Sequence, residues 1–104
     1  MAAVRAVKVR LTPAAQQDLA AILAYLERQS PQGRRRVGSA IRRTLVLLSA
    51  SPFIGRPGEI KPARLFPVHG YPYLIAYSVD AERNVISVAS IVHMARDPGY
   101  IGPS

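Results

Sequence analysis

Apolar and charged residues alternate with a period of two near the start of the chain. Val7, Val9 and Leu11 interleave with Lys8 and Arg10, which predicts a strand with one buried face. The period then changes. Thr12 offers a side-chain oxygen as an N-cap, and Pro13 stands where its missing N–H costs nothing. Leu19, Ile22, Leu23 and Leu26 follow at i, i+3, i+4 and i+7, one apolar stripe on a helix of roughly four to five turns. Ser30-Pro31 ends that helix and can cap a second one in the same way. Val37, Ala40, Ile41, Leu45 and Leu48 give the second helix its apolar face, and Arg34, Arg35, Arg36, Arg42 and Arg43 crowd the remainder. Gly38 costs about 1 kcal/mol relative to alanine in a helix interior, which a close helix–helix approach could offset. With so short a connection the two helices form an antiparallel hairpin.

Residues 51–62 (SPFIGRPGEIKP) are rich in proline and glycine and read as a loop. After them the period of two returns. Ala63–Val68 and Tyr73–Val79 are expected strands joined through the turn His69-Gly70-Tyr71-Pro72. The polar stretch 80–84 reads as a hairpin connection. Val85–His93 carries apolar residues at both parities, as expected of a strand covered on both sides. The predicted fold class is therefore α+β in the order β-α-α-β-β-β. An N-terminal strand and an antiparallel helical hairpin pack on a mostly antiparallel sheet. One domain is expected over residues 1–104, with 99–104 a loose tail.

Composition narrows the partners. There is no cysteine, so disulfides and thiolate metal sites are excluded. The longest apolar run, Leu45–Leu48, is far too short to cross a bilayer, and no signal-peptide core precedes it, so a cytoplasmic protein without membrane partners is expected. The net charge of +8 fits a polyanionic or acidic partner. It is unevenly placed: residues 1–50 hold nine Lys and Arg against two Asp and Glu, whereas residues 51–104 hold five against four. Two histidines without a carboxylate cluster give no metal site, and no motif asks for a cofactor.

Four segments in order carry a resemblance. They are Asp18-Leu19 with Ile22 and Tyr25-Leu26; Ser51-Pro52-Phe53-Ile54-Gly55-Arg56-Pro57; Arg64 leading into Tyr73-Leu74-Ile75-Ala76-Tyr77; and Ile91-Val92-His93-Met94-Ala95-Arg96-Asp97-Pro98. Together they cover roughly residues 5–100 and the chain resembles the ParE/RelE toxin superfamily, toxins of type II toxin–antitoxin systems, some known as plasmid stabilisation proteins. The resemblance implies a growth-arresting toxin neutralised by a cognate acidic antitoxin in a hetero-oligomeric complex. The residues expected to meet the antitoxin are Leu19, Leu23, Leu26, Val37, Ile41, Arg34, Arg35 and Arg42. It also implies one of two targets. RelE-like members cleave messenger RNA on the ribosome; ParE-like members block DNA gyrase and have no recognised catalytic site.

Metal-independent RNA cleavage needs a base, a cation for the phosphorane and an acid for the leaving oxygen. Candidates are His93 for proton transfer, Arg64 and Arg96 for phosphate, Tyr100 for stacking or proton donation, and Glu59 as a distant base. Each has a plainer reading: a structural histidine, an Arg96–Asp97 pair, an Arg64 that stacks on Tyr73 or Tyr77 or binds a carbonyl. Against cleavage, Leu74 stands where RelE-like members usually carry arginine, and His93-Met94-Ala95-Arg96 replaces a denser basic cluster. The expectation is accordingly a ParE-like, non-enzymatic gyrase inhibitor. The alternatives are a ribosome-dependent mRNA endonuclease, with Arg64, His93, Arg96 and Tyr100 at work, and a basic nucleic-acid-binding module.

Overall fold

A computed structural model describes residues 7–94. The strand β1 (Lys8–Leu11) is followed by the helices α1 (Pro13–Gln29) and α2 (Pro31–Ala50). Then come the strands β2 (Arg56–Pro57), β3 (Arg64–Pro67), β4 (Tyr73–Asp80) and β5 (Val85–His93). The five strands form one sheet in the order β1-β5-β4-β3-β2. The pair β1–β5 is parallel, and the remaining pairs are antiparallel.

Both helix starts form as the sequence dictates. Thr12 accepts from the Ala15 N–H and Ser30 from the Gly33 N–H, each followed by proline in the first turn. Ser30 also closes α1, its own N–H donating to the Leu26 carbonyl, so one residue serves both helices. The helices run antiparallel, with Gly38 of α2 beside Leu23 of α1. A Cβ at Gly38 would stand 3.7 Å from Leu23 Cδ2, an ordinary contact, so the approach does not demand glycine there.

One face of the sheet meets both helices. Val37, Ala40, Ile41 and Leu48 of α2 and Ala15 of α1 join Tyr73, Ile75, Tyr77, Ile86, Val88 and Ile91 in a single core. The expectation that β5 is covered on both sides is met unevenly. Ile86, Val88 and Ile91 are buried, while Val85, Ser87 and Val92 are half-buried and Ala89 is exposed. The register explains the misleading pattern. Ala76 pairs with Ser90 and Tyr77 with Val88, so Ala89 is an extra residue that shifts the phase of burial along the strand. The bulge thus puts buried apolar residues at both parities, and the half-buried Val85 and Val92 of the other face add to the pattern. The loop expected over 51–62 likewise contains β2, a two-residue edge strand closed by the Gly58 N–H donating to the Ala63 carbonyl. Its proline suits an edge.

Beyond Leu11, β1 no longer covers β5, and α1 takes over its backbone groups. The Thr12 N–H donates to the Val88 carbonyl, Thr12 Oγ1 donates to the Ala89 carbonyl, and the Asp18 carboxylate accepts from the Ile91 N–H at 3.0 Å. These bonds fix where α1 crosses the sheet. Loss of a charge-assisted acceptor that leaves a half-buried N–H unpaired costs about 1–3 kcal/mol. Asp18→Ala is expected to lower the urea midpoint accordingly, and Asp18→Asn, which keeps an acceptor, to lower it less. Equal midpoints for wild type and Asp18→Ala would remove Asp18 from this role.

Candidate functional site

Two side chains from the sheet organise the segment that follows α2. The Tyr77 hydroxyl donates to the Pro52 carbonyl at 2.8 Å and accepts from the Gly55 N–H at 2.9 Å. Arg64, paired with Tyr77 across β3 and β4, donates through Nη1 to the carbonyls of Gly55 (2.7 Å) and Phe53 (3.2 Å). Its guanidinium also lies over the Phe53 ring, 5.0 Å from the centroid. Gly55 has no room for more than hydrogen, because a Cβ would stand 2.5 Å from the Tyr77 hydroxyl oxygen. Burial pushes the Tyr77 phenol above its usual value of 10, with the Gly55 hydrogen bond and the Arg64 charge working against that rise.

A groove opens towards the other end of β4, beneath the tip of the helical hairpin. Ile22, Tyr25 and Leu26 of α1, Gly33 and Val37 of α2, and Tyr71, Pro72, Tyr73 and His93 line a cavity of about 400 Å³. One helical turn further along α2, Ala40, Arg43, Thr44 and Leu47 face Phe66, Pro67 and His69 across a second cavity of about 410 Å³. Both are walled by α2 and by the 66–73 stretch, and both are mostly apolar with an arginine or a histidine at the edge. The His93 ring meets Tyr73 edge-on, 5.3 Å between centroids.

The expected antitoxin-contacting residues divide into three groups. Leu26 lines the first cavity, and Leu19 and Leu23 are half-buried on α1. Val37 and Ile41 are 4% and 2% exposed: Ile41 belongs to the core, and Val37 forms part of the groove floor. Arg34, Arg35 and Arg42 are exposed. Arg34 pairs with Glu27 at 3.5 Å, and Arg35 and Arg42 fall on the side of α2 opposite the core. Tyr25, Leu47 and Phe66 also line the two cavities, and Val46, Phe53 and Ile54 are exposed apolar side chains; of these, Leu47, Phe66 and Val46 have no place in the sequence-derived candidates. Leu47 was legible as an apolar residue off the helical stripe.

Of the candidates for RNA cleavage, Arg64 and His93 stand apart. Tyr73 is opposite His93 and Tyr77 opposite Arg64, which places Arg64 and His93 on different strands and four residues apart along β4. That separates them by roughly 16 Å. Arg96 and Tyr100, like Asp97 and the 99–104 tail, lie outside the described residues. Glu59 is exposed in the loop before β3. Among the described residues there is no cluster of three metal-ligating side chains.

Comparison with known proteins adds the family. Residues 9–98 match the family model of the ParE toxin of the type II toxin–antitoxin system parDE. The Sinorhizobium fredii protein Y4kP is 32% identical over 81 residues, covering 78% of this chain and 84% of that protein. The chromosomal ParDE toxin–antitoxin system of P. aeruginosa superposes with a TM-score of 0.70 at 22% identity, over 84% of this chain and 95% of that one. The RelBE2 toxin–antitoxin complex of Mycobacterium tuberculosis gives 0.60 at 23% identity, over 85% and 98%. At these identities the two structures establish the fold.

The clamp on residues 52–55 yields a stability prediction. Tyr77→Phe leaves the Pro52 carbonyl and the Gly55 N–H without their partner and is expected to cost about 1–3 kcal/mol in chemical denaturation. Because the folded phenol ionises above the ordinary value of 10, its contribution is complete below that pH and declines as pH rises through the folded value. Tyr77→Phe lacks that increment of alkaline destabilisation. Identical alkaline profiles for the two proteins would contradict the clamp.

Proposed function

Since the chain belongs to the ParE toxin family of type II toxin–antitoxin systems, we propose that it is a toxin restrained by an acidic antitoxin and that its released form arrests growth by binding DNA gyrase. The antitoxin's apolar side chains fill the groove along α2, at Leu26, Val37, Tyr71, Leu47 and Phe66. Its carboxylates meet the arginines at the rim, of which Arg43 lines the groove and Arg36 stands two turns before it. Helix-in-groove recognition fits the dimensions, because the stretch from Gly33 to Leu47 spans about 21 Å of helix axis. The partner complexes named for the P. aeruginosa and M. tuberculosis relatives agree with an antitoxin partner.

The observation that carries a binding mechanism over a cleaving one is the position of Arg64. Cleavage requires the phosphate-holding cation and the proton-transfer group around one phosphate, within hydrogen-bond reach of it. Arg64 instead spends its Nη1 on two backbone carbonyls and stands roughly 16 Å from His93. Leu74, buried on the strand where RelE-like members usually carry arginine, adds no cation.

Pulse labelling after induction of this chain alone, with antitoxin co-expression as the control, tests the reading. Thymidine incorporation is expected to fall within minutes while methionine incorporation holds, and the antitoxin to abolish the effect. Collapse of protein synthesis first would overturn the gyrase assignment and turn attention to His93, Arg96 and Tyr100. No growth arrest at all would overturn toxicity itself.

A further inference from the structure

The helix α2 carries five arginines and no acidic residue over twenty positions. At 100° per residue, Val37, Ile41 and Leu48 turn inwards, so Arg35, Ser39 and Arg42 form the ridge furthest from the core. Arg36 and Arg43 flank that ridge on the groove side, and all four arginines are exposed. Among the described residues the ion pairs are Arg34–Glu27 and Arg83–Asp80, so no carboxylate neutralises the ridge. Arg35 and Arg36 also stand in the first turns of α2, at the positive end of its dipole, where cations are unfavourable. The isolated fold thus bears a repulsion that a polyanion removes.

We propose that the outer ridge of α2, together with Arg36 and Arg43 at the groove rim, is a second interaction surface that binds the phosphate backbone of duplex nucleic acid without reading its sequence. Three features favour phosphates over another protein. Between its arginines the ridge holds only Ser39, a small exposed residue, and its exposed aliphatic side chain, Val46, lies beyond the last of them, whereas protein interfaces centre on aromatic or aliphatic anchors. Every cation is arginine, whose planar fork matches phosphate oxygens in pairs. The two arginine pairs repeat after seven residues, about two turns, so both stand on one side of α2 and can face one phosphate backbone. The charged stretch ends at Val46. A sequence-neutral contact of this kind leaves the apolar floor of the groove uncovered, while Arg36 and Arg43 are shared between the two surfaces.

The test is fluorescence anisotropy of the full chain, without antitoxin, titrated onto a labelled 20-base-pair duplex of arbitrary sequence across a salt series. Four phosphate contacts give a slope of roughly −3.6 in log K against log salt. Arg35→Gln combined with Arg42→Gln is expected to halve that slope and weaken binding at least about tenfold near 0.1 M salt. Lys8→Gln combined with Arg10→Gln removes the same charge from exposed positions on β1, and is expected to change affinity less than about twofold. Matching thermal midpoints confirm that both variants fold. Equal weakening by the two double variants overturns the proposal, since net charge alone then explains binding. So does absence of duplex binding at low salt, and so does a ridge variant that loses antitoxin affinity while keeping its grip on the duplex.

Discussion

The strand β5 has more backbone to satisfy than β1 can supply, and the way this deficit is met sets the rest of the molecule. β1 pairs with β5 only from Val85 to Val88. Past that point the start of α1 provides the missing partners, with Thr12 on Val88 and Ala89 and Asp18 on Ile91. Backbone groups in a packed interior are nearly always paired, so this geometry is an obligation. It fixes α1 across the sheet, and the short Ser30 connection then fixes α2 beside it. The lie of α2 against the 66–73 stretch, and therefore the groove, follows from there.

α2 carries three duties on three faces. Its inner face completes the core through Val37, Ile41 and Leu48. Its flank, through Ala40, Thr44 and Leu47, makes one wall of the groove. Its outer ridge carries unpaired arginine charge. The Thr44 hydroxyl, buried at the meeting of the first two faces, donates to the Ala40 carbonyl and so leaves no polar atom unsatisfied. At the far end, Tyr77 and Arg64 hold the chain as it leaves α2, which ties the helix to the sheet at both ends. The Ser49 hydroxyl donating to the Val7 carbonyl adds a further tie to the start of β1.

Element order, both helix caps and the hairpin were legible in the sequence because each rests on local chemistry: Thr-Pro and Ser-Pro at the helix starts, and a clean change of period. The bulge at Ala89 was not, since a register shift appears in one strand only as a run of apolar residues at both parities. β2 was hidden because its two residues are defined by a partner rather than by propensity. At the site, periodicity located the apolar stripe of α2 but could not separate Ile41, which is swallowed by the core, from Leu47, which faces the groove. Arg64 stood out as a cation within a family motif. Its carbonyl partners at Phe53 and Gly55 lie nine to eleven residues away and required the fold to bring them together.

Whether the groove along α2 receives the antitoxin can be read from a chemical-shift map. The chain would be isotopically labelled and titrated with the acidic segment of its cognate antitoxin. The largest shifts are expected on Val37, Thr44, Leu47, Phe66, His69 and Tyr71, which line the two cavities. Shifts concentrated on the helix-free face of the sheet, at Leu65, Ala76 and Ser87, with the groove unmoved, would contradict it.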